Sequence, residues 1–173
     1  MNIFIGGSAR EEIPQKYKKE AAKLGEKLCA SEHSIYCCAS NVGVIGEVYL
    51  PFIGKYPERI KSAVPKAHLC YKDENQKIDV ITNTINERTD YVLQNCDMCI
   101  FLPGGIGTIY EIMSAIETKR AHEHNSELII VNIEGYFDEF LKMLEKVFNE
   151  NFSSRQDAKV YRVVNNIDEI NLL

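Results

Sequence analysis

The chain has 173 residues, 45% hydrophobic and 26% charged, which is enough apolar surface for a buried core and excludes a disordered polar chain. A net charge of -5 leaves no basic face for a polyanion, which excludes nucleic-acid binding driven by charge. No apolar run approaches a membrane span, Met1 leads straight into "NIFIGG" without a secretory leader, and six cysteines fit reduced thiols, so a cytoplasmic protein is expected.

Residues 2–8 (NIFIGGS) read as a short apolar strand running into two glycines. Tyr17, Ala21, Leu24 and Leu28 recur at helical spacing between Lys and Glu, which predicts a helix over 14–31. Gly25 within it marks close packing on the sheet. Residues 34–40 (SIYCCAS) predict a second strand, followed by Asn41 and Gly43 and a short helix around Val44 and Val48 that Gly54 and Pro57 close. A third strand is predicted at 67–71 (AHLCY). Ile78, Ile81, Ile85, Val92 and Leu93 then fit one face of a long helix over 76–95. The run 98–102 (MCIFL) has the continuous apolarity of a strand buried on both faces. A helix over 108–121, a strand over 127–133 (ELIIVNI), a helix over 136–149, a strand over 158–164 (AKVYRVV) and a short helix in "IDEINLL" complete the chain.

This alternation predicts an α/β fold: a mostly parallel sheet with helices on both faces, in one domain over 1–173 without repeat or linker. Ligands of such sheets bind beyond the carboxyl ends of the strands, where the strand order switches. Three loops compete for that edge: Gly6-Gly7-Ser8, Ser40-Asn41-Val42-Gly43, and Pro103 to Thr108.

In the stretch "FLPGGIGTIYE" (101–111), three glycines fall within four positions and a carboxylate follows one helical turn later. Glycine amides at a helix N-terminus can form a cradle for an anion such as phosphate. No Lys follows the last Gly and the spacing is not G-x-G-x-x-G, so neither common nucleotide fingerprint applies. Thr108 and Glu111 also have the spacing of a capping box, which favours a plain helix cap but leaves Gly104, Gly105 and Gly107 unexplained. Upstream, Arg88 of "NERTDY" can face the glycine loop if its helix runs antiparallel to the next strand; a solvated helix charge is the simpler alternative.

Together these residues resemble the LOG family, phosphoribohydrolases that release a free base from nucleoside 5'-monophosphates and are often labelled "lysine decarboxylase". The family motif P-G-G-x-G-T-x-x-E stands unbroken from Pro103 to Glu111, and the Arg of its Arg-Lys pair is Arg88. "IFIGGSA", "AAKLGEKL" and "VNIEGYFDEFL" are similar to further family segments, so the resemblance covers nearly the whole chain. It implies a Rossmann-like, doubly wound fold, a homodimer, a nucleoside monophosphate as ligand and no cofactor. It also implies catalytic roles for Arg88 and Glu111. Gly104, Gly105, Ile106, Gly107 and Thr108, with Gly7, Ser8 and Ser40 of the other two loops, become the candidate phosphate- or substrate-binding residues. The chain departs from the family at Thr89 in place of Lys, at Tyr110 in place of an acid, and at "CCASNVG", where Cys37, Cys38 and Ala39 replace glycines. An altered pocket is expected.

Other signals are set aside. Cys96-x-x-Cys99 lacks the second pair that a structural zinc needs and reads as buried apolar thiols. His122 and His124 read as cations at a helix C-terminus, and no metal is expected. Asp73-Glu74 and Asp168-Glu169 read as surface or cap residues. Lysine decarboxylation needs pyridoxal phosphate on a lysine, and none lies in the three loops. The alternatives to a phosphoribohydrolase are a non-catalytic nucleotide-binding module and a deoxyribosyltransferase or nucleoside hydrolase.

Overall fold

The computed structural model describes residues 1–38, 40–71 and 77–172. Ala39 of the second loop, the Asp73-Glu74 pair, the expected helix start at Gln76 and the terminal Leu173 lie outside the described residues. In chain order the elements are β1 (Asn2–Gly6), α1 (Gln15–Ala30), β2 (Ser34–Cys37), α2 (Gly43–Ile53), β3 (Ile60–Pro65), β4 (Val80–Thr82), α3 (Ile85–Asn95), β5 (Met98–Phe101), α4 (Ile106–Arg120), β6 (Glu127–Val131), α5 (Asp138–Asn149) and β7 (Tyr161–Val164).

The strands form one seven-stranded sheet in the order β4-β3-β2-β1-β5-β6-β7, and every pairing is parallel. Alternate strand residues feed two cores, because successive side chains of a strand point to opposite faces. Ile3, Ile5, Ile35, Ile100 and Ile129 pack with α1 and α2, whereas Phe4, Tyr36, Phe101 and Ile130 pack with α3, α4 and α5. Burial on both sides explains the unbroken apolar runs of β5 and β6.

The chain winds outward from β1 through β2 and β3 to β4. It then returns through α3 to place β5 on the other side of β1. The crevice between β1 and β5 is therefore the switch point, where ligands of such sheets bind. It is flanked by the Gly6-Gly7-Ser8 turn and the loop from Leu102 to Gly105.

Several expected elements differ. Residues Lys66–Tyr71 form a 3-10 helix, and the third strand is β3. Lys61 and Ser62 interrupt that strand's apolar pattern, but Ser62 is satisfied by residues further along the chain: its hydroxyl donates to the Lys77 carbonyl (2.7 Å) and its amide to Asp79 (2.9 Å). The long helix over 76–95 is overturned as well. Its first half holds the edge strand β4, and α3 begins only after Thr84, whose hydroxyl accepts from the Glu87 amide at 3.1 Å. The Glu87 carboxylate accepts in turn from the Asn83 amide at 2.8 Å. Gly25 packs on α2 and not on the sheet: a Cβ there would lie 2.4 Å from the Val48 carbonyl oxygen and 2.9 Å from that of Glu47. Pro51 cannot donate back to Glu47, which leaves that carbonyl without its helical partner. His124 is not a surface cation. It is 8% exposed, its ring meets the Ala115 carbonyl (3.0 Å) and Ser126 Oγ (3.1 Å), and burial lowers its pKa from the ordinary value. Cys96 and Cys99 are buried thiols. Among the described residues no helix is long and apolar enough to cross a membrane.

Candidate functional site

The loop after β5 meets the turn after β1 through the main chain. The Leu102 amide donates to the Gly6 carbonyl (2.8 Å), and the Ser8 amide donates to the Pro103 carbonyl (3.1 Å). That closeness dictates the glycines. A Cβ on Gly104 would stand 2.1 Å from Thr108 Oγ1 and 2.9 Å from the Ser8 amide nitrogen, and one on Gly7 would meet Val44 at 2.6 Å. Gly43 adopts φ +71°, which favours glycine, and brings α2 against the Ser8 carbonyl. The hydroxyl of Tyr136 closes the far side by donating to the Gly104 carbonyl at 2.7 Å.

Gly105 and Gly107 obey a different constraint. Nothing lies within 4 Å of a Cβ built on either, and both are exposed, as is Ile106. Gly105 is the N-cap residue of α4 and supplies no side chain to the helix start. The first amides of a helix have no intrahelical partner. Here they open, with the positive end of the helix dipole, onto the space the glycines leave clear.

Because α4 starts at Ile106, Thr108 and Glu111 are not a capping box. Thr108 is the third residue of the helix, 4% exposed beneath Gly104, and Glu111 lies beyond it. The Glu111 carboxylate turns into the crevice. Its Oε1 accepts from Arg88 Nη2 at 2.5 Å, and its Oε2 lies 2.9 Å from where a Cβ on Gly6 would be. Gly6 thus leaves room for the acid at the end of β1.

Arg88 reaches the site from the second turn of α3, as an antiparallel return of that helix requires. It is not a solvated charge: it is 6% exposed, and its guanidinium stacks over Phe4 at 5.8 Å from the ring centroid. Its Nε, also buried, has no partner among the described residues. Burial raises the Glu111 pKa above the ordinary carboxylate value, while the Arg88 charge and hydrogen bond hold it down in part. The result is a desolvated acid in contact with a fixed positive charge.

The remaining candidates lie around this pair. Ser8 offers its hydroxyl to the Arg10 amide (3.2 Å), and Ser40 is buried just past the end of β2. Thr89 is buried and bonds back to the Ile85 carbonyl at 3.0 Å, so it sends no group toward the ligand edge. Tyr110 points to the rim, where its hydroxyl donates to Asn86 at 2.6 Å. Two neighbours were not singled out from sequence for the charge they share with the site. The thiol of Cys38, at the end of β2, is pushed up to about 11 by burial, with the Glu111 charge adding to the effect. His68, in the 3-10 segment after β3, acts electrostatically on Glu111. Gly6 belonged to the first of the three glycine-bearing loops but not to the candidate binding residues, and Tyr136 carries no sequence signal that separates it from ordinary packing.

A family described as "Possible lysine decarboxylase" matches residues 39–171. Cytokinin riboside 5'-monophosphate phosphoribohydrolase LOG1 of Arabidopsis thaliana is 24% identical over 155 residues, which cover 88% of this chain and 71% of that one. LOG7 of the same plant, carrying the same activity in its name, is 22% identical over 170 residues, 97% of this chain and 77% of the relative. Among solved structures, the molybdenum cofactor binding protein of Rippkaea orientalis superposes with a TM-score of 0.63 at 17% identity, covering 95% of this chain and 89% of that one. The molybdenum cofactor carrier protein of Chlamydomonas reinhardtii gives a TM-score of 0.65 at 14% identity over 96% and 91%. These two likenesses show the Rossmann-like fold.

Proposed function

The chain belongs to the possible-lysine-decarboxylase family, the LOG family of phosphoribohydrolases, and from that premise we propose that it hydrolyses the N-glycosidic bond of a nucleoside 5'-monophosphate, giving free base and ribose 5-phosphate. The observation that carries this proposal is the buried contact of Glu111 with Arg88 directly behind the open amides of Gly105, Ile106 and Gly107. A buried ion pair is a poor device for stability alone, since apolar residues of the same volume are often neutral or better, while one partner left unpaired costs about 3–5 kcal/mol. Such a pair at the ligand edge of a parallel sheet is better explained by chemistry.

The division of labour follows from charge. The α4 amides hold the 5'-phosphate, aided by the helix dipole, and so fix the sugar against the carboxylate. Cleavage develops positive charge on the ribose, and Glu111 stabilises that oxocarbenium-like state and takes a proton from the attacking water. Arg88 keeps its proton. It holds Oε1 and keeps the acid ionised against the cost of burial, leaving Oε2 to face the reacting centre. Gly7, Ser8 and Ser40 line the same crevice and complete the ligand contacts in this proposal.

Purified protein incubated with AMP and related nucleotides should release base and ribose 5-phosphate in equal amounts; an absence of both products across the panel would count against hydrolysis. The neutral, back-bonded Thr89 favours one second reading, a nucleotide-binding module on the same fold. Nucleotide affinity without turnover would support it. A single functional unit over 1–173 and a homodimer are part of the first proposal. Sedimentation should give twice the chain mass, and a monomer that still turns over would remove the dimer from it.

A further inference from the structure

We propose that Tyr136 is a positioning residue of the glycine loop: its hydroxyl holds the peptide between Gly104 and Gly105 so that the Gly105 N–H faces the ligand's phosphate. This rests on the phosphoribohydrolase proposal above, which gives that loop the 5'-phosphate.

The peptide concerned joins two glycines, and glycine enters either sign of φ at little cost, so no side chain of its own sets which way it faces. A trans peptide is planar, with its carbonyl oxygen and its amide hydrogen on opposite sides. Turned one way, this peptide shows an anion an N–H. Turned the other way, it shows a carbonyl oxygen that repels the anion. Hydrogen bonds from outside the loop decide between them. The Ser8 amide donates to the Pro103 carbonyl at 3.1 Å, and the Tyr136 hydroxyl donates to the Gly104 carbonyl at 2.7 Å. The second bond leaves the Gly105 N–H on the side away from Tyr136. Gly105 is exposed, a Cβ on it would meet nothing within 4 Å, and its amide has no partner among the described residues.

The turn after β6, the strand next to β5, carries Tyr136 to this carbonyl. Asn132, 7% exposed at the end of β6, fixes the turn: its Oδ1 accepts from the Phe137 amide at 2.7 Å and its Nδ2 donates to Asp138 at 2.8 Å. Glu134 and Gly135 bend the chain through the left-handed region, at φ +49° and +74°. The Tyr136 ring then packs edge-on against Tyr17 and Phe137, with centroids 5.3 and 4.9 Å away. A phenylalanine would serve that packing equally well. Tyr136 is 42% exposed, so water is within reach of its hydroxyl, yet the hydroxyl meets a main-chain carbonyl.

Tyr136→Phe removes the hydroxyl and keeps the ring. When the wild type is titrated with inorganic phosphate or ribose 5-phosphate, the Gly105 amide resonance should shift together with those of Ile106 and Gly107. In the variant, with an unchanged thermal melt, the Gly105 response should fall away while those of Ile106 and Gly107 persist. Affinity for both ligands should drop about tenfold, as the loss of one hydrogen bond allows. A variant with the wild-type Gly105 response and affinity would overturn the role of Tyr136 and leave the hydrolase proposal standing. So would a wild-type Gly105 amide that ignores both ligands while its neighbours respond, a result that does not depend on how the variant folds. A wild-type protein in which no amide of the loop responds to either ligand would overturn the phosphate site and this inference with it.

Discussion

Thr84-Ile85-Asn86-Glu87 and Thr108-Ile109-Tyr110-Glu111 share one residue pattern and have opposite fates. In the first, the Thr caps a helix and the Glu reaches back over its start. In the second, a glycine has taken the cap position three residues earlier, so the same spacing delivers a carboxylate to the crevice. Spacing alone cannot separate the two, because the difference lies in where the helix begins. The unbroken Pro103–Glu111 motif made Glu111 legible as a candidate, and its partner at Arg88 followed from the same resemblance. The burial of Arg88 was not legible, since "NERTDY" has the polarity of an exposed turn. The contact has a consequence for pH. In the proposed hydrolysis Glu111 is the base, so activity should rise with pH through its pKa, which burial raises and Arg88 lowers. Arg88→Gln removes the lowering influence. The acidic limb of kcat/KM against pH should therefore move to higher pH, along with a loss of rate. A limb that stays in place or moves to lower pH would separate Arg88 from the ionisation of Glu111.

At the scale of elements, the glycines of the β5–α4 loop divide by what surrounds them. Gly104 has no room for a methyl group, whereas Gly105 has nothing within 4 Å. Gly104→Ala should force apart the Thr108 and Ser8 contacts and destabilise the fold by about 1–3 kcal/mol, as overpacking does. Gly105→Ala should leave the melting temperature nearly unchanged and weaken AMP binding, because its methyl group takes the open space that the proposed function gives to the phosphate. Thermal melts and titration calorimetry on both variants would test this; a Gly105→Ala protein with full affinity would show the cleared space to be unused. Elements that were legible in the sequence carry a strong local pattern: apolar runs in β1, β5 and β6, helical periodicity in α1, and a glycine-rich start in α4. Those that were not are β3 and β4. In β3 a lysine and a serine interrupt the pattern, and the serine's partners come from residues 77 and 79, which no local pattern announces. As a three-residue edge strand, β4 has one half-buried and one exposed apolar side chain, and so was read as the start of a helix.

At the scale of the whole molecule, an acidic chain gathers positive electrostatic features at one edge of its sheet: the start of α4 and Arg88. A negative net charge elsewhere disfavours polyanions, which suits the small anionic ligand of the proposed function. The return of the chain from β4 to β5 through α3 brings the arginine to the acid, so fold and site depend on the same crossover.

The most direct test of the account is the release of ribose 5-phosphate from AMP by the wild-type protein and by Glu111→Gln, with AMP affinity measured for both. The account predicts steady release by the wild type, a loss of about 100-fold or more in the variant, and affinity that is nearly unchanged. Release by the variant at the wild-type rate, or none by either protein from any nucleoside monophosphate, would contradict it.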